Sequence, residues 1–297
     1  MPELPEVEVV RAGLAPALVG ATLTACTVLD DRGITRHAGD ARSFEQELAG
    51  RTVTAAARRG KFLWFPLDGA DRSVVAHLGM SGQMLLRESG APTARHERVR
   101  WDVTHPEHGE LAVLFVDQRT FGSLAVDDVV TTLDGRPGGW GTADALVPTQ
   151  VAHIARDPLD PALDAGALDA AVARRHTAIK KVLLDQTIVS GIGNIYADEA
   201  LWGARVHPET PADALSRPAR RRLMDAVTAV LEKALAEGGT SFDAQYVNVN
   251  GQAGYFAHSL EAYGRTGRPC ARCGTPIVRV AFTNRSSHFC PRCQRRR

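Results

Sequence analysis

Four cysteines place the tightest constraint on this chain. Cys270 and Cys273 form one C-x-x-C, Cys290 and Cys293 form a second, and sixteen residues lie between the pairs. A C-x-x-C makes a tight turn that aims two sulfurs at one point. Two such turns at this separation fit a structural zinc site of four thiolates. Disulfides are the alternative, but a cytosolic chain keeps its thiols reduced. Between the pairs, IVRVAF and the residues around HF read as short strands joined by TNRSS. Residues 259–297 therefore read as a zinc-ribbon hairpin whose tip presents Arg285. The fifth cysteine, Cys26, lies alone in an apolar stretch and reads as a core residue.

The net charge of +1 conceals an asymmetry. Residues 1–150 carry 15 Lys+Arg and 20 Asp+Glu, and residues 151–297 carry the remaining 20 basic and 14 acidic. From Arg265 onward there are nine arginines and no acid. A basic end of this density points to a polyanion, with nucleic acid favoured over a purely structural ribbon. No apolar run approaches the roughly 18 residues a membrane span needs. The acidic N-terminus is unlike a signal peptide, so the chain is expected in the cytosol. No oligomerisation stripe is evident, and a monomer is expected.

At 297 residues the chain has room for two or three domains. The opening MPELPEVEVVRAGL places Leu4, Val7, Val10, Leu14 and Leu18 at helical spacing. Residues 21–130 then carry strand-like runs: ATLTACTVLD, RTVTAAARRGKFLWFPL, SVVAHLGMSGQMLL, RVRWDVTH and ELAVLFVD. They suggest a sandwich or flattened barrel. Residues 131–156 begin with a Gly/Pro/Thr-rich stretch and read as a linker. Residues 157–258 read as helical. DAGALDAAVARRHTAIKKVLLDQ is one long candidate and IYADEALWGA another. SRPARRRLMDAVTAVLEKALAEGG is the third, with Ser216 as N-cap and Gly238-Gly239 as its stop. The fold class is α+β and multidomain: an N-terminal helix with a β-sandwich (1–130), a helical domain, and the zinc ribbon.

Several short motifs carry two readings each. Pro2 and Glu3 suit a helix start. Once Met1 is removed they also present a secondary amine beside a carboxylate. VSGIGNIYADEALW sets Gly191 and Gly193 before a helix headed by Asn194, which is either a tight turn or a phosphate cradle. In RRGKFLW, strand alternation places Arg59 and Lys61 on one face, at a solvated edge or a binding surface. HLGMSGQ and DQRTFGS put Met80, Arg119 and Phe121 in turns. They are core caps, or wedges of the kind that fill the gap left by an extruded nucleotide.

PELPEVE, GKFLW, HLGMSG, DQRTFG, TAIKKVLLDQ, GIGNIYADEALW, GYFAHSLEAYGR and the paired C-x-x-C motifs occur in an order that resembles the formamidopyrimidine-DNA glycosylases, within the wider endonuclease VIII superfamily. The resemblance covers essentially the whole chain and is weakest over 131–165. It implies a helix and β-sandwich, a helix–two-turns–helix domain and a zinc finger, with damaged duplex DNA between the lobes. It implies removal of oxidised purines, chiefly 8-oxoguanine and formamidopyrimidines, followed by backbone cleavage through β- and δ-elimination. By the same resemblance Pro2 is the nucleophile and Glu3 its partner acid, and Lys61 and Arg285 take part in catalysis. Met80, Arg119 and Phe121 fill the void. His96, His176, Lys180, Asn194 and Tyr263 contact DNA. At His176 the family usually carries Lys or Arg, and Arg175 is adjacent. The loop from Thr240 to Gly254 folds over the extruded base. The rival readings are an endonuclease VIII-like enzyme for oxidised pyrimidines and a non-catalytic DNA-binding zinc protein.

The chemistry suits these residues. An N-terminal amine has a pKa near ~8, so a usable fraction is neutral at pH 7, unlike lysine near ~10.4. Attack by a secondary amine on sugar C1′ yields an iminium ion, cationic without any added proton. That cation acidifies the C2′ hydrogen and drives elimination, splitting one hard step into easier ones. Glu3 is placed to move the protons. A retained Met1 would convert the Pro2 nitrogen to an amide and abolish the nucleophile.

Overall fold

The computed structural model of the chain describes residues 2–240, 249 and 255–296. They form two compact units, one of residues 1–153 with 238–254, the other of 154–237 with 255–297.

The first unit opens with α1 (Leu4–Leu18), β1 (Thr22–Val28) and α2 (Ala41–Leu48). There follow β2 (Ala57–Arg59), β3 (Phe62–Pro66), β4 (Arg72–His77), β5 (Gln83–Glu88), β6 (Glu97–His105), β7 (Gly109–Val116), β8 (Ser123–Thr131) and β9 (Leu146–Pro148). The strands make two antiparallel sheets, in the orders β1-β6-β7-β5 and β2-β3-β4-β8-β9. One core joins them: Phe65 and Val74 from one sheet meet Trp101 and Phe115 from the other. The Phe65 and Trp101 rings sit edge to face, 5.7 Å apart. All five periodic residues of α1 are buried in the unit, and four of them enter this core. The periodicity of α1 is thus a true core stripe. Cys26 packs against the core, and burial pushes its thiol up to about 12.

Two elements carry weak patterns. In α2 only Phe44 and Leu48 are buried, and Asp40 caps the helix by accepting from Ser43 N at 2.8 Å. In β8 the apolar run is broken by Asp127-Asp128 at the edge of the core. Residues 131–156, read above as a linker, contain β9, which pairs with β8 over Val129–Thr131. Trp140 also bridges Arg58. The glycines there serve close approach: a Cβ on Gly138 would lie 1.9 Å from Leu146 O, and one on Gly139 2.3 Å from Arg58 O.

The second unit contains α3 (Ala165–Ala173), α4 (Ile179–Leu184), α5 (Asn194–Ala204), α6 (Arg217–Ala236), β10 (Val278–Phe282) and β11 (Arg285–Phe289). The single long helix expected over DAGALDAAVARRHTAIKKVLLDQ is two helices. Between them the carbonyls of Arg175 and Thr177 accept from Asp213 N and Ala212 N, and Ala178 forms a β-bridge with Pro211. These pairings take the place of helical ones. α6 runs from the expected Ser216 cap, though that side chain makes no capping bond. In the ribbon Phe282 pairs with Arg285, so the turn is only Thr283-Asn284 and Arg285 already begins β11. Among the described residues no helix is long and apolar enough to cross a membrane.

α1 also buries charge. Arg58 is 1% exposed and donates Nε to Glu8 Oε2 at 2.8 Å, while Arg11 holds the same carboxylate. Removing one partner of a buried pair strands the other charge. Glu8→Ala is expected to cost about 3 kcal/mol in urea unfolding of the whole protein.

Candidate active site

The N-terminal site is built on α1. The helix begins at Leu4 with Glu3 as its cap, so Pro5, not Pro2, occupies the helix-start position. Pro2 stands outside the helix, buried. Glu3 is 2% exposed. It forms a reciprocal capping pair with Glu6: the Glu6 carboxylate accepts Glu3 N at 2.8 Å, and the Glu3 carboxylate faces Glu6 N. The other Glu6 oxygen accepts Thr240 N at 2.7 Å and Thr240 Oγ1 at 2.8 Å. A buried carboxylate with three donors fixes the backbone on which Pro2 and Glu3 ride. Apart from Thr240 and Val249, the segment expected to act as a lid lies outside the described residues.

Lys61 lies in the turn between β2 and β3, not on the strand face with Arg59. Gly60 takes φ +57° as the first residue of a two-residue hairpin turn. The expected solvated edge is absent here, since Arg58 and Arg59 are both buried and Arg59 Nε donates to Gly138 O. His77, unremarked in the sequence, belongs to this locality. Its ring lies 4.7 Å from that of Phe62, and Arg36 stacks on the same Phe62 ring at 5.5 Å. Burial, aided by the charges of Arg36 and Lys61, pushes its pKa down to about 4. Gly79 N donates to His77 Nδ1 at 3.1 Å, so the neutral ring carries its proton on Nε2. A cation and a neutral N–H donor together make a surface suited to an anion.

Met80 and Phe121 are exposed, 38% and 57%. Their turns are locked together. A Cβ on Gly79, whose φ is +59°, would lie 2.3 Å from the Phe121 carbonyl carbon. Asp117, fully buried, accepts Ser81 Oγ at 2.6 Å, Arg119 N at 3.1 Å and Gly122 N at 2.7 Å. The Arg119 guanidinium lies 5.6 Å over the Phe121 ring. His96 is half-exposed at φ +64°, and its carbonyl accepts Asp117 N. Exposed apolar tips on a rigid base are not core caps. Asp117 was legible only as part of DQRTFG, and nothing in spacing marks it as the anchor.

In the second unit, Lys180 corrects an expectation. Its ammonium is 0% exposed and donates to Asp198 Oδ1 at 2.6 Å, Ser286 O at 2.9 Å and Ser287 Oγ at 2.8 Å. An ammonium has three N–H donors, so none is left for a DNA phosphate. Asp198 Oδ2 accepts His288 N at 2.8 Å, and Asn194 Nδ2 donates to Ser286 O at 3.2 Å. These residues hold β11 and leave Arg285 exposed at its start. The next residue on α5, Glu199, accepts the amides of Glu261, Ala262 and Tyr263, while burial raises its pKa. Tyr263 packs its ring 4.7 Å from His288. His176 is exposed, with Nδ1 2.6 Å from Asp213 Oδ2, and Arg175 beside it is exposed too.

The four ribbon sulfurs lie within 4.8 Å of one another, with Cys273 3.5 Å from both Cys290 and Cys293. No disulfide joins them. Zn–S bonds of about 2.3 Å imply S···S edges of roughly 3.8 Å, so one zinc ion fits. Trp202 Nε1 donates to Cys270 Sγ at 3.4 Å and orients that ligand.

Three family models match the chain: the formamidopyrimidine-DNA glycosylase N-terminal domain over 1–124, its H2TH domain over 154–245, and a zinc finger found in FPG and IleRS over 267–296. The chain is 64% identical to a formamidopyrimidine-DNA glycosylase of Leifsonia xyli, covering 99% of this chain and 100% of that one. It is 53% identical to one of Thermobifida fusca, covering 100% and 98%. Among solved structures it resembles a Lactococcus lactis FPG mutant in complex with a Fapy-dG containing DNA, at 30% identity and TM-score 0.81 over 99% of this chain and 100% of that. It also resembles the Lactococcus lactis Fpg with an abasic site containing DNA, at 29% identity and TM-score 0.79 over the same shares.

Because His77 is harder to protonate when folded, the unfolded chain binds the extra proton between pH 6.5 and about 4. Its contribution is complete above pH 6.5 and is lost as pH falls through that window, up to ~3 kcal/mol. His77→Gln should flatten the stability difference between pH 7 and pH 5 measured by urea unfolding.

Proposed function

The chain belongs to the formamidopyrimidine-DNA glycosylase family, and on that premise we propose that Pro2, freed by removal of Met1, is its nucleophile. The protein is a DNA glycosylase of base excision repair with abasic-site lyase activity, and its zinc finger holds one zinc ion. Its substrates in this reading are oxidised purines in duplex DNA, 8-oxoguanine and ring-opened formamidopyrimidines. It works as a monomer in the bacterial cytosol.

The Pro2 nitrogen forms a bond to C1′ of the extruded nucleotide as the bond from C1′ to the base breaks. The departing base takes a proton, and opening of the sugar leaves an iminium between Pro2 and C1′. Glu3 passes a proton to the ring oxygen and then receives one from C2′. Loss of that C2′ proton expels the 3′ phosphate, and a second elimination expels the 5′ phosphate. Lys61 and Arg285 neutralise the departing phosphates. Met80, Arg119 and Phe121 occupy the gap in the stack, offsetting the few kcal/mol that extrusion costs. Lys180 and Asn194 act through β11 as positioning residues for Arg285, and His96, Tyr263 and His176 with Arg175 contact the duplex. What supports the nucleophile most directly is that Pro2 precedes the Glu3 cap, buried, outside the helix that would otherwise explain it.

Borohydride reduces an iminium to a stable crosslink. Processed protein on a duplex with 8-oxoguanine opposite cytosine is expected to give a crosslink that maps to Pro2. No crosslink there or on an abasic-site duplex, with Met1 confirmed absent, would overturn the assignment. Glu3→Gln is expected to slow base excision by about 10²–10⁴-fold in single-turnover assays, the usual share of a general acid–base.

A further inference from the structure

The helical unit holds a cavity of about 750 Å³ that none of the chemistry above uses. It lies where the end of α5, the start of α6 and the second C-x-x-C turn meet. Arg205, Arg222, Arg292, Arg295, Thr210 and Ser216 line it beside the zinc ligand Cys293, and no lining residue is an aspartate or glutamate. Arg222 is fixed by donating Nε to Ala204 O at 3.1 Å. Among the described residues no carboxylate pairs with Arg205, Arg292 or Arg295. The neighbouring Glu209 is engaged by Arg296 at 3.1 Å.

Two local features run against ordinary helix chemistry. Arg205 ends α5 at φ +58°, a left-handed position where glycine is the usual residue. α6 opens with Arg217, Arg220, Arg221 and Arg222 and has no acid in its first turn, although the dipole there favours negative charge. Asp169 pairs only with Arg220 of these. Of these arginines Arg205 and Arg222 line the cavity, beside Arg292 and Arg295 of the ribbon. An anion in the cavity would relieve the second feature and give the first a purpose.

We propose that this cavity is a second phosphate-binding site, separate from the lesion site, that takes the phosphate of a nucleotide unit. Guanidinium forks suit phosphate oxygens. The volume falls in the range of small-ligand sites. The site is remote from Asn194 and Arg285, while His176 and Arg175 lie nearer, both bonded to Asp213 next to the lining residue Ala214. Asn194 and Arg205 stand at opposite ends of α5, about 16 Å apart at 1.5 Å per residue. Arg285 likewise begins β11, and Cys290 follows its far end. The phosphate comes from a nucleic-acid strand or from a free nucleoside polyphosphate, and the inference goes beyond the proposed glycosylase chemistry without resting on it.

The test uses zinc-loaded, full-length protein saturated with a short duplex that carries a stable abasic-site analogue. A labelled undamaged single strand and, separately, labelled adenosine triphosphate are then titrated by fluorescence anisotropy. The expected result is saturable binding of one probe molecule per protein, weakened about tenfold or more in Arg205→Gly/Arg295→Ala. Glycine suits the left-handed backbone at 205, so this variant should keep its fold, its zinc and its cleavage of lesion duplex. For the strand, losing two contacts should also lower the salt slope by about 1.4. Strand binding alone assigns the site to nucleic acid, triphosphate binding alone to free nucleotide, and mutual competition to both. Absence of saturable binding by either probe, or equal binding by the variant, overturns the proposal. If the duplex itself fails to bind, the glycosylase reading falls, and the same titrations on free protein still decide the cavity.

Discussion

A carboxylate buried in protein must find donors or be neutralised, and Glu6 satisfies that requirement with three of them. The consequence is geometric. Glu3 N, Thr240 N and Thr240 Oγ1 converge on one side chain, so the chain entering α1 and the chain at residue 240 share one fixed point. Pro2, which makes no hydrogen bond among the described residues, inherits its position from that point. The same device recurs. Asp117 ties the Met80 turn to the Arg119–Phe121 turn. Adjacent on α5, Glu199 gathers three backbone amides on the approach to the ribbon and Asp198 accepts the His288 amide within it. The residues proposed to touch DNA are mostly exposed, and the residues that aim them are mostly buried acids.

That division explains which parts of the molecule were legible in the sequence. Period and spacing report burial of apolar residues, so the stripe of α1, the course of α6 and the two C-x-x-C turns were readable directly. Buried acids defeat the same reasoning, since an Asp or Glu within a pattern is assigned to solvent. Asp117, Asp198 and Glu6 were therefore silent as anchors, even inside motifs that stood out. Lys180 enters as a DNA contact only through the resemblance, and the position of Asp198 shows where its charge goes in this structure. The break between α3 and α4 is likewise tertiary. No glycine or proline marks it, and the carbonyls that leave the helix are taken up by residues 212 and 213, far along the chain. In 131–156, glycines read as a sign of freedom prove to be close-approach positions against Leu146 and Arg58.

The ribbon raises a last electrostatic question, since nine arginines from Arg265 onward have no acid in their own segment. Its apolar core is also small, with Ile277 and the ligand cysteines packed against Trp202. Such a module does not hold together on apolar burial alone. The zinc centre supplies both missing components. Four thiolates around Zn²⁺ carry a net charge of −2, and this is the ribbon's internal anion. It compensates arginines close to the sulfurs, including Arg272, which stacks 3.6 Å over Trp202. It does not reach the far end of β11, where Arg285 remains exposed. One metal site thus fixes the hairpin while leaving its tip cationic, which is the condition a phosphate contact needs. A ribbon stapled by carboxylate–arginine pairs would have to place acids near that same tip.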